Sequence, residues 1–254
     1  MMRFLRPLII TAGLVLLWQI IVWLTDAPHF ILPAPARVAE AWWAHHMTIL
    51  GHAGVTLLEI ALGLLCGVAL GVSSALTLSY FGPARRWLLP ILVASQAVPV
   101  FALAPILVLW LGYGIASKVA MATLIIYFPV AASFFDGLRR TEPGWTDLAR
   151  TMGAGRWAML TKIRVPAALP ALASGLRVAT AVAPIGAVVG EWVGASAGLG
   201  YLMLHANGRV QTDLMFAALL TLAFFAVIIY FIVDNGLRRA LPWQPDKLPA
   251  QQQE

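Results

Sequence analysis

The stretch AGVTLLEIALGLLCGVALGVSSALTL, residues 53–78, decides the fold. It carries one charged residue, Glu59, in 26 positions. A helix needs roughly 17–25 apolar residues to cross a bilayer, so this segment can span one. Within it Gly63, Gly67 and Gly71 recur every four residues and share one helix face. Small residues at that spacing let a neighbouring membrane helix come close. The pattern marks a packing face. It leaves open whether the partner lies in the same chain or in a second copy.

Five more apolar stretches surround this one, at 7–24, 87–111, 119–135, 169–193 and 214–233. The reading is an all-α integral membrane protein, one domain over residues 1–254 with six transmembrane helices. Alternating segments of about ten residues, the mark of a membrane β-barrel, are absent. Composition agrees: 61 % of the 254 residues are hydrophobic and 11 % are charged. Soluble domains run near about 45–50 % and about 25 %. The mean hydropathy is +0.84. Cys66 is the single cysteine, so a disulfide scaffold is excluded.

The formal charge is +6, but the 17 Lys and Arg fall in small groups between apolar stretches, without the basic stripe of a nucleic-acid binder. Counted at alternate loops, thirteen lie on one side and three (Arg37, Lys118, Arg209) on the other, with Arg177 inside the fifth span. The richer side faces the cytoplasm by the positive-inside rule. Both termini are therefore expected there. The first stretch follows Arg3 and Arg6 but is longer than a signal-peptide core. It runs into Thr25-Asp26-Ala27-Pro28 rather than an A-x-A site, so it reads as a retained anchor.

The five histidines fall on the outer side, where adjacent His45 and His46 diverge by about 100° on a helix and give no metal-ligand spacing. No metal and no cofactor is expected. Residues 32–49, with Trp42 and Trp43, read as a short interfacial helix. The third stretch carries Pro90, Pro99 and Pro105, with Ser95 and Gln96 one turn before Pro99. A kinked, polar mid-membrane helix is a candidate pathway wall. Glu59 and Glu191 are the acids within or beside spans, and such acids are functional candidates because their burial is costly. Ser95, Gln96, Pro99 and Glu191 are taken as pathway residues.

The longest inward loop, residues 136–168, reads DGLRRTEPGWTDLARTMGAGRWAMLTKIRVPAA. Thr141 is placed as helix cap, Glu142 and Pro143 in the first turn, and Gly153 just past the end. Trp145, Leu148, Ala149 and Met152 then share a face. A second helix, Arg156–Val165, is expected to stop before Pro166. The apolar stripe suits either a lipid surface or a groove on another protein.

Asp147-Leu148-Ala149, Gly153 three residues on, and Ile163-Arg164-Val165-Pro166 nine residues later resemble the "EAA" loop of ABC-importer permeases. Asp stands for Glu, Leu for the first Ala and Val for Leu. The stretches PALASGLRVATAVAPIGAVVGEWVGASAGLGYLM (170–203), VPVFALAPILVLWLGYGIASK and FILPAPARV resemble the nitrate/taurine/sulfonate branch of that family. The overall likeness is greatest to hydroxymethylpyrimidine or other thiamine-precursor permeases, with riboflavin permeases next. The resemblance implies a type I importer permease in a bacterial inner membrane, working as a homodimer. A cytoplasmic ATPase dimer would dock on Trp145, Asp147, Leu148, Ala149, Met152, Gly153, Ile163 and Pro166, and a periplasmic binding protein would deliver the solute. It implies a transport subunit rather than an enzyme. Gly-Lys never occurs, so the chain has no P-loop and ATP must be hydrolysed elsewhere.

Two rivals come from other classes. A proton-coupled carrier could use Glu59 and Glu191 but has no use for the elbow. Gly194-Ala195-Ser196-Ala197-Gly198 fits the G-x-S-x-G of serine hydrolases, yet that elbow needs a preceding strand, and none is patterned here. Residues 242–254, rich in Pro and Gln, are expected to be a disordered tail.

Overall fold

The computed structural model describes residues 2–95 and 98–243, with side chains from residue 9 onward except those of Val93 and Ser95. The expected tail from residue 244 and Gln96 lie outside the described residues. The described chain is helical: α1 (Met2–Thr25), α2 (Pro35–Tyr80), α3 (Gly82–Ser95), α4 (Val100–Leu111), α5 (Ile115–Arg139), α6 (Pro143–Thr151), α7 (Arg156–Ala158), α8 (Val165–Gly194), α9 (Leu199–Gly208) and α10 (Thr212–Ala240). A π-helical stretch, Met159–Arg164, joins α7 to α8. Among the described residues, four helices are long and apolar enough to cross a membrane: Pro35–Tyr80, Ile115–Arg139, Arg156–Gly194 and Thr212–Ala240. Ile9–Thr25 and Val100–Leu111 are shorter apolar helices.

The glycine stripe of α2 meets α5 of the same chain. A Cβ on Gly67 would lie 2.6 Å from Ile126 Cγ2, and one on Gly71 2.8 Å from Val130 Cγ1. Gly63 faces Ala122 in the same way. On the other side of α5, Gly186 of α8 sits against Ala122, and a Cβ there would approach the Ala122 Cα to 2.7 Å. So α5 is held between α2 and α8, and small residues on both neighbours bring the backbones together. The core around this contact comprises Ile60, Ala122, Ile126, Val130, Ala179 and Ala183. Leu58, Leu65, Phe224 and Phe231 point outward and are exposed, as lipid-facing side chains must be.

Three elements differ from the sequence-based expectation. Residues 32–49 form no separate interfacial helix; α2 runs on from Pro35, with non-helical angles only at His45 (φ −116°, ψ 15°). The N-terminal part is tied to α10 instead, by Trp42 Nε1 donating to Thr221 Oγ1 at 3.0 Å. The single span expected at 87–111 is two helices, because Pro99 caps α4 and cannot extend the hydrogen-bond ladder of α3. The helix from Arg156 does not stop before Pro166. The wider π turn, with Val165 N–H bonded to Leu160 O, lets the proline ring into the next α-helical turn, and the helix continues to Gly194.

Gly67→Val tests the central contact. Its side chain must displace Ile126 or the backbone oxygen of Thr123, at a cost of about 1–3 kcal/mol. Thermal unfolding in detergent, followed by size-exclusion, is expected to show a clear drop for Gly67→Val. Gly54→Val, where nothing lies within 4 Å, is the control and should match the parent.

Candidate functional site

The elbow at residues 136–168 is built by α6 and the turn after it. Pro143 disfavours helical angles in the residue before it, so Glu142 (φ −56°, ψ 128°) is the N-cap, one residue later than expected. Thr141 Oγ1 donates instead to Leu138 O at 3.3 Å. The helix ends in a Schellman turn. Gly153 N–H bonds to Arg150 O and Ala154 N–H to Ala149 O, each at 2.9 Å. Gly153 has φ +78°, the left-handed region where a Cβ is strained. No described residue lies within 4 Å of a Cβ built there, so the constraint is conformational and not steric crowding.

Trp145, Leu148 and Met152 are more than half exposed, whereas Ala149 is buried against the chain. All four border a groove of about 530 Å³, closed on its far side by Ile163, Pro166 and Trp243. The structure thus brings Trp145, Leu148, Ala149, Met152, Ile163 and Pro166 to one apolar surface. Asp147 lies outside it, in a surface ion pair with Arg150 at 2.8 Å. Deeper on the same side, Arg177 of α8 pairs with Asp234 of α10 at 2.6 Å, and Asp234 takes Arg238 at 2.8 Å. Arg177 is therefore neutralised by a carboxylate and does not snorkel.

At the end of the bundle away from the elbow, Glu191 is buried and accepts from Thr56 Oγ1 at 2.6 Å and from the backbone N–H groups of Gly200 and Tyr201. Thr56 Oγ1 accepts from Leu199 N–H at 2.8 Å, and His52 Nδ1 from Gly198 N–H at 3.0 Å. These are the unpaired donors at the start of α9. Residues from α2 and α8 satisfy them in place of a local cap. Gly198 (φ +115°) leaves no room for a side chain, since its Cβ would collide with the Glu191 carboxyl. Glu59 lies beside Glu191, with Lys118 close to both. Lys118 is buried, donating to the carbonyls of Tyr113, Gly114 (2.9 Å) and Gly194 (3.0 Å). Lys118 reads in the sequence as an outer-loop cation, and Thr56 and His52 stand out in no motif. The costly acids nearby were the one pointer to this cluster.

Among the pathway candidates, Pro99 is the exposed cap of α4, Ser95 ends α3, and Glu191 belongs to the buried cluster in this conformation. Ser196 follows helix α8, not a strand, so the hydrolase elbow is not formed.

A family model described as "Binding-protein-dependent transport system inner membrane component" matches residues 67–241. A "Probable ABC transporter permease protein" of Haemophilus influenzae is 56 % identical, covering 93 % of this chain and 97 % of the relative. The "Riboflavin transport system permease protein RibX" of Chloroflexus aurantiacus is 39 % identical (91 % and 87 % covered). The "Formylaminopyrimidine transport permease protein ThiX" of Halalkalibacterium halodurans is 34 % identical (94 % and 96 % covered). The fold is shared with the MetNI methionine ABC transporter in inward-facing form, with a TM-score of 0.67 at 19 % identity over 77 % of this chain and 97 % of that one. The chain belongs to the binding-protein-dependent transport system inner membrane components: it is a membrane-embedded permease subunit of an ABC importer, whose family relies on a separate ATPase.

Proposed function

We propose that this permease carries a small neutral aromatic solute, hydroxymethylpyrimidine or another pyrimidine precursor of thiamine, from periplasm to cytoplasm. It does so as a homodimer in the bacterial inner membrane, with both termini cytoplasmic. A binding protein supplies the solute outside, and an ATPase dimer seats on the two elbows inside. The observation that carries the coupling reading is the elbow: three exposed apolar side chains beside a 530 Å³ apolar groove, held rigid by a Schellman turn. Such a face suits a groove on another protein. The family's need for a separate ATPase names the partner.

Two observations support a neutral solute. The ThiX and RibX relatives are named for a pyrimidine and a flavin. The cations Arg177 and Lys118 are already engaged, by Asp234 and by three carbonyls, so neither is left to attract an anion. Ser95, Gln96 and Pro99, at the break between α3 and α4, are our candidates for the pathway wall. ATP binding closes the ATPases, the elbows follow, and the spans tilt to open the path outward.

Four outcomes test this. In the reconstituted complex, labelled hydroxymethylpyrimidine should be taken up with ATP, with riboflavin competing weakly and taurine not at all; no uptake of the pyrimidine overturns the substrate reading. Gly153→Asp and Ala149→Arg should lose the ATPase on co-purification while still inserting. Forcing a side chain at φ +78° costs about 1–2 kcal/mol; the free elbow relaxes that strain and docking has to restore it, which lowers docking about ten-fold. Normal docking and transport by both would leave the elbow as a lipid-surface helix. Gln96→Leu should alter uptake with assembly intact. The topology is checked by cysteine labelling. A cysteine near Arg150 should react only from the cytoplasm and one near His45 only from outside, and reaction of both from one side would overturn the six-span arrangement.

A further inference from the structure

We infer that the base of the elbow holds an anionic phospholipid, with its phosphate among three arginines and an acyl chain in the adjoining apolar groove. Arg150, Arg156 and Arg164 line one pocket of about 410 Å³, together with Ser79 and Tyr80 at the end of α2. Among the described residues, no carboxylate lines it. Arg150 shares one guanidinium nitrogen with Asp147 at the surface, which leaves its other donors for the pocket. The Arg164 Nε is buried without a hydrogen-bond partner among the described residues. A buried guanidinium donor left unpaired costs free energy, and a phosphate oxygen is the acceptor that three converging arginines select.

A second pocket of about 470 Å³ shares Tyr80 and Leu160 with the first. Leu76, Phe81, Trp157 and Val165 line it beside Thr77 and Thr161, whose hydroxyls donate to the carbonyls of Ser73 and Trp157, so its surface is mainly apolar. Trp157 and Phe81 are more than half exposed, and Tyr80 packs edge-on against the Trp157 ring at 5.9 Å. Aromatic side chains of this kind sit at the headgroup level of a membrane. A basic pocket opening into an apolar, aromatic-rimmed groove matches one ligand with both a phosphate and a hydrocarbon tail. Free phosphate would leave the groove empty, and an acidic protein surface would not fill it. Basic pockets between membrane helices on the cytoplasmic side recognise anionic headgroups for this reason. The site joins the end of α2 to α7 and the π stretch, so a bound lipid braces the elbow against the membrane. The inference rests on the reading that the elbow side faces the cytoplasm. The pocket itself lies wholly within this chain, so ATPase docking is not needed to test it.

The test is native mass spectrometry of the delipidated permease, with and without its ATPase, titrated with phosphatidylglycerol or phosphatidylcholine of the same chain length. Phosphatidylglycerol should be retained about ten-fold or more over phosphatidylcholine, since each arginine near an anionic headgroup contributes appreciably. Arg156→Gln with Arg164→Gln should erase that preference. Arg239→Gln, an exposed arginine at the end of α10, should keep it. Should the double variant fail to insert, Arg156→Gln alone, at an exposed side chain, should still weaken retention several-fold. Displacement of the lipid by millimolar inorganic phosphate would make this a free-anion site and overturn the inference. Equal retention of both lipids, or a preference that vanishes once the ATPase is bound, would overturn it too.

Discussion

Everything in this permease hangs on how closely α2 and α8 approach α5. In lipid there is no hydrophobic drive between helices, because the tails are as apolar as the side chains. Association then depends on van der Waals contact and on buried hydrogen bonds. The glycines of α2 at 63, 67 and 71 lay bare backbone against Ala122, Ile126 and Val130, and Gly186 of α8 does the same against Ala122 from the far side. One residue, Ala122, is thus pressed by two helices and is fully buried. With α5 fixed between its neighbours, the two ends of the bundle acquire defined partners: the elbow at one end and the polar cluster at the other.

The polar cluster shows how membrane acids can be structural without being idle. The first backbone donors of α9 have no helical partner of their own, and in a low-dielectric setting each must find an acceptor. Glu191, Thr56 and His52 supply those acceptors from two different helices. Lys118 does the reverse, donating to the carbonyls of Tyr113 and Gly114 in the turn between α4 and α5 and of Gly194 at the end of α8. Charges that are expensive alone are tolerated because each closes a backbone deficit left by a helix terminus. Family membership rules in an ATP-driven importer subunit, so neither a proton-carrier role for these acids nor a serine-hydrolase role for Ser196 is needed.

Much of this was legible in the residues. The glycine spacing announced a packing face, and the structure supplies only its partner. The elbow could be read from Pro143, the 145/148/149/152 stripe and Gly153, whose left-handed φ follows from its place after a helix end. What escaped was non-local or depended on how proline is absorbed. The pre-proline rule moves the cap to Glu142, but Thr141 is the better cap by residue type, and type alone misleads. Pro166 looks like a stop until a π turn is allowed before it. Pro99 looks like a kink and instead caps a new helix. Lys118 and Arg177 could not be placed, because each has an acceptor on a distant part of the chain: Gly194, one of the three carbonyls that Lys118 reaches, is 76 residues away, and Asp234 is 57 from Arg177.

The π turn has a mechanical corollary. Because Pro166 is absorbed, Arg156–Gly194 is one unbroken 39-residue rod that begins beside the elbow and ends at the carboxyl of Glu191 and the turn into α9. A rod of that length reaches about 58 Å at 1.5 Å per residue, longer than the membrane is thick. Its contact with α5 runs from Ala168 against Gly137 to Gly190 against Lys118, so the rod and α5 form one stiff pair rather than two bodies touching at a point. A displacement at the elbow is therefore carried along the whole pair to its far end, where the first turn of α9 is hydrogen-bonded to Glu191.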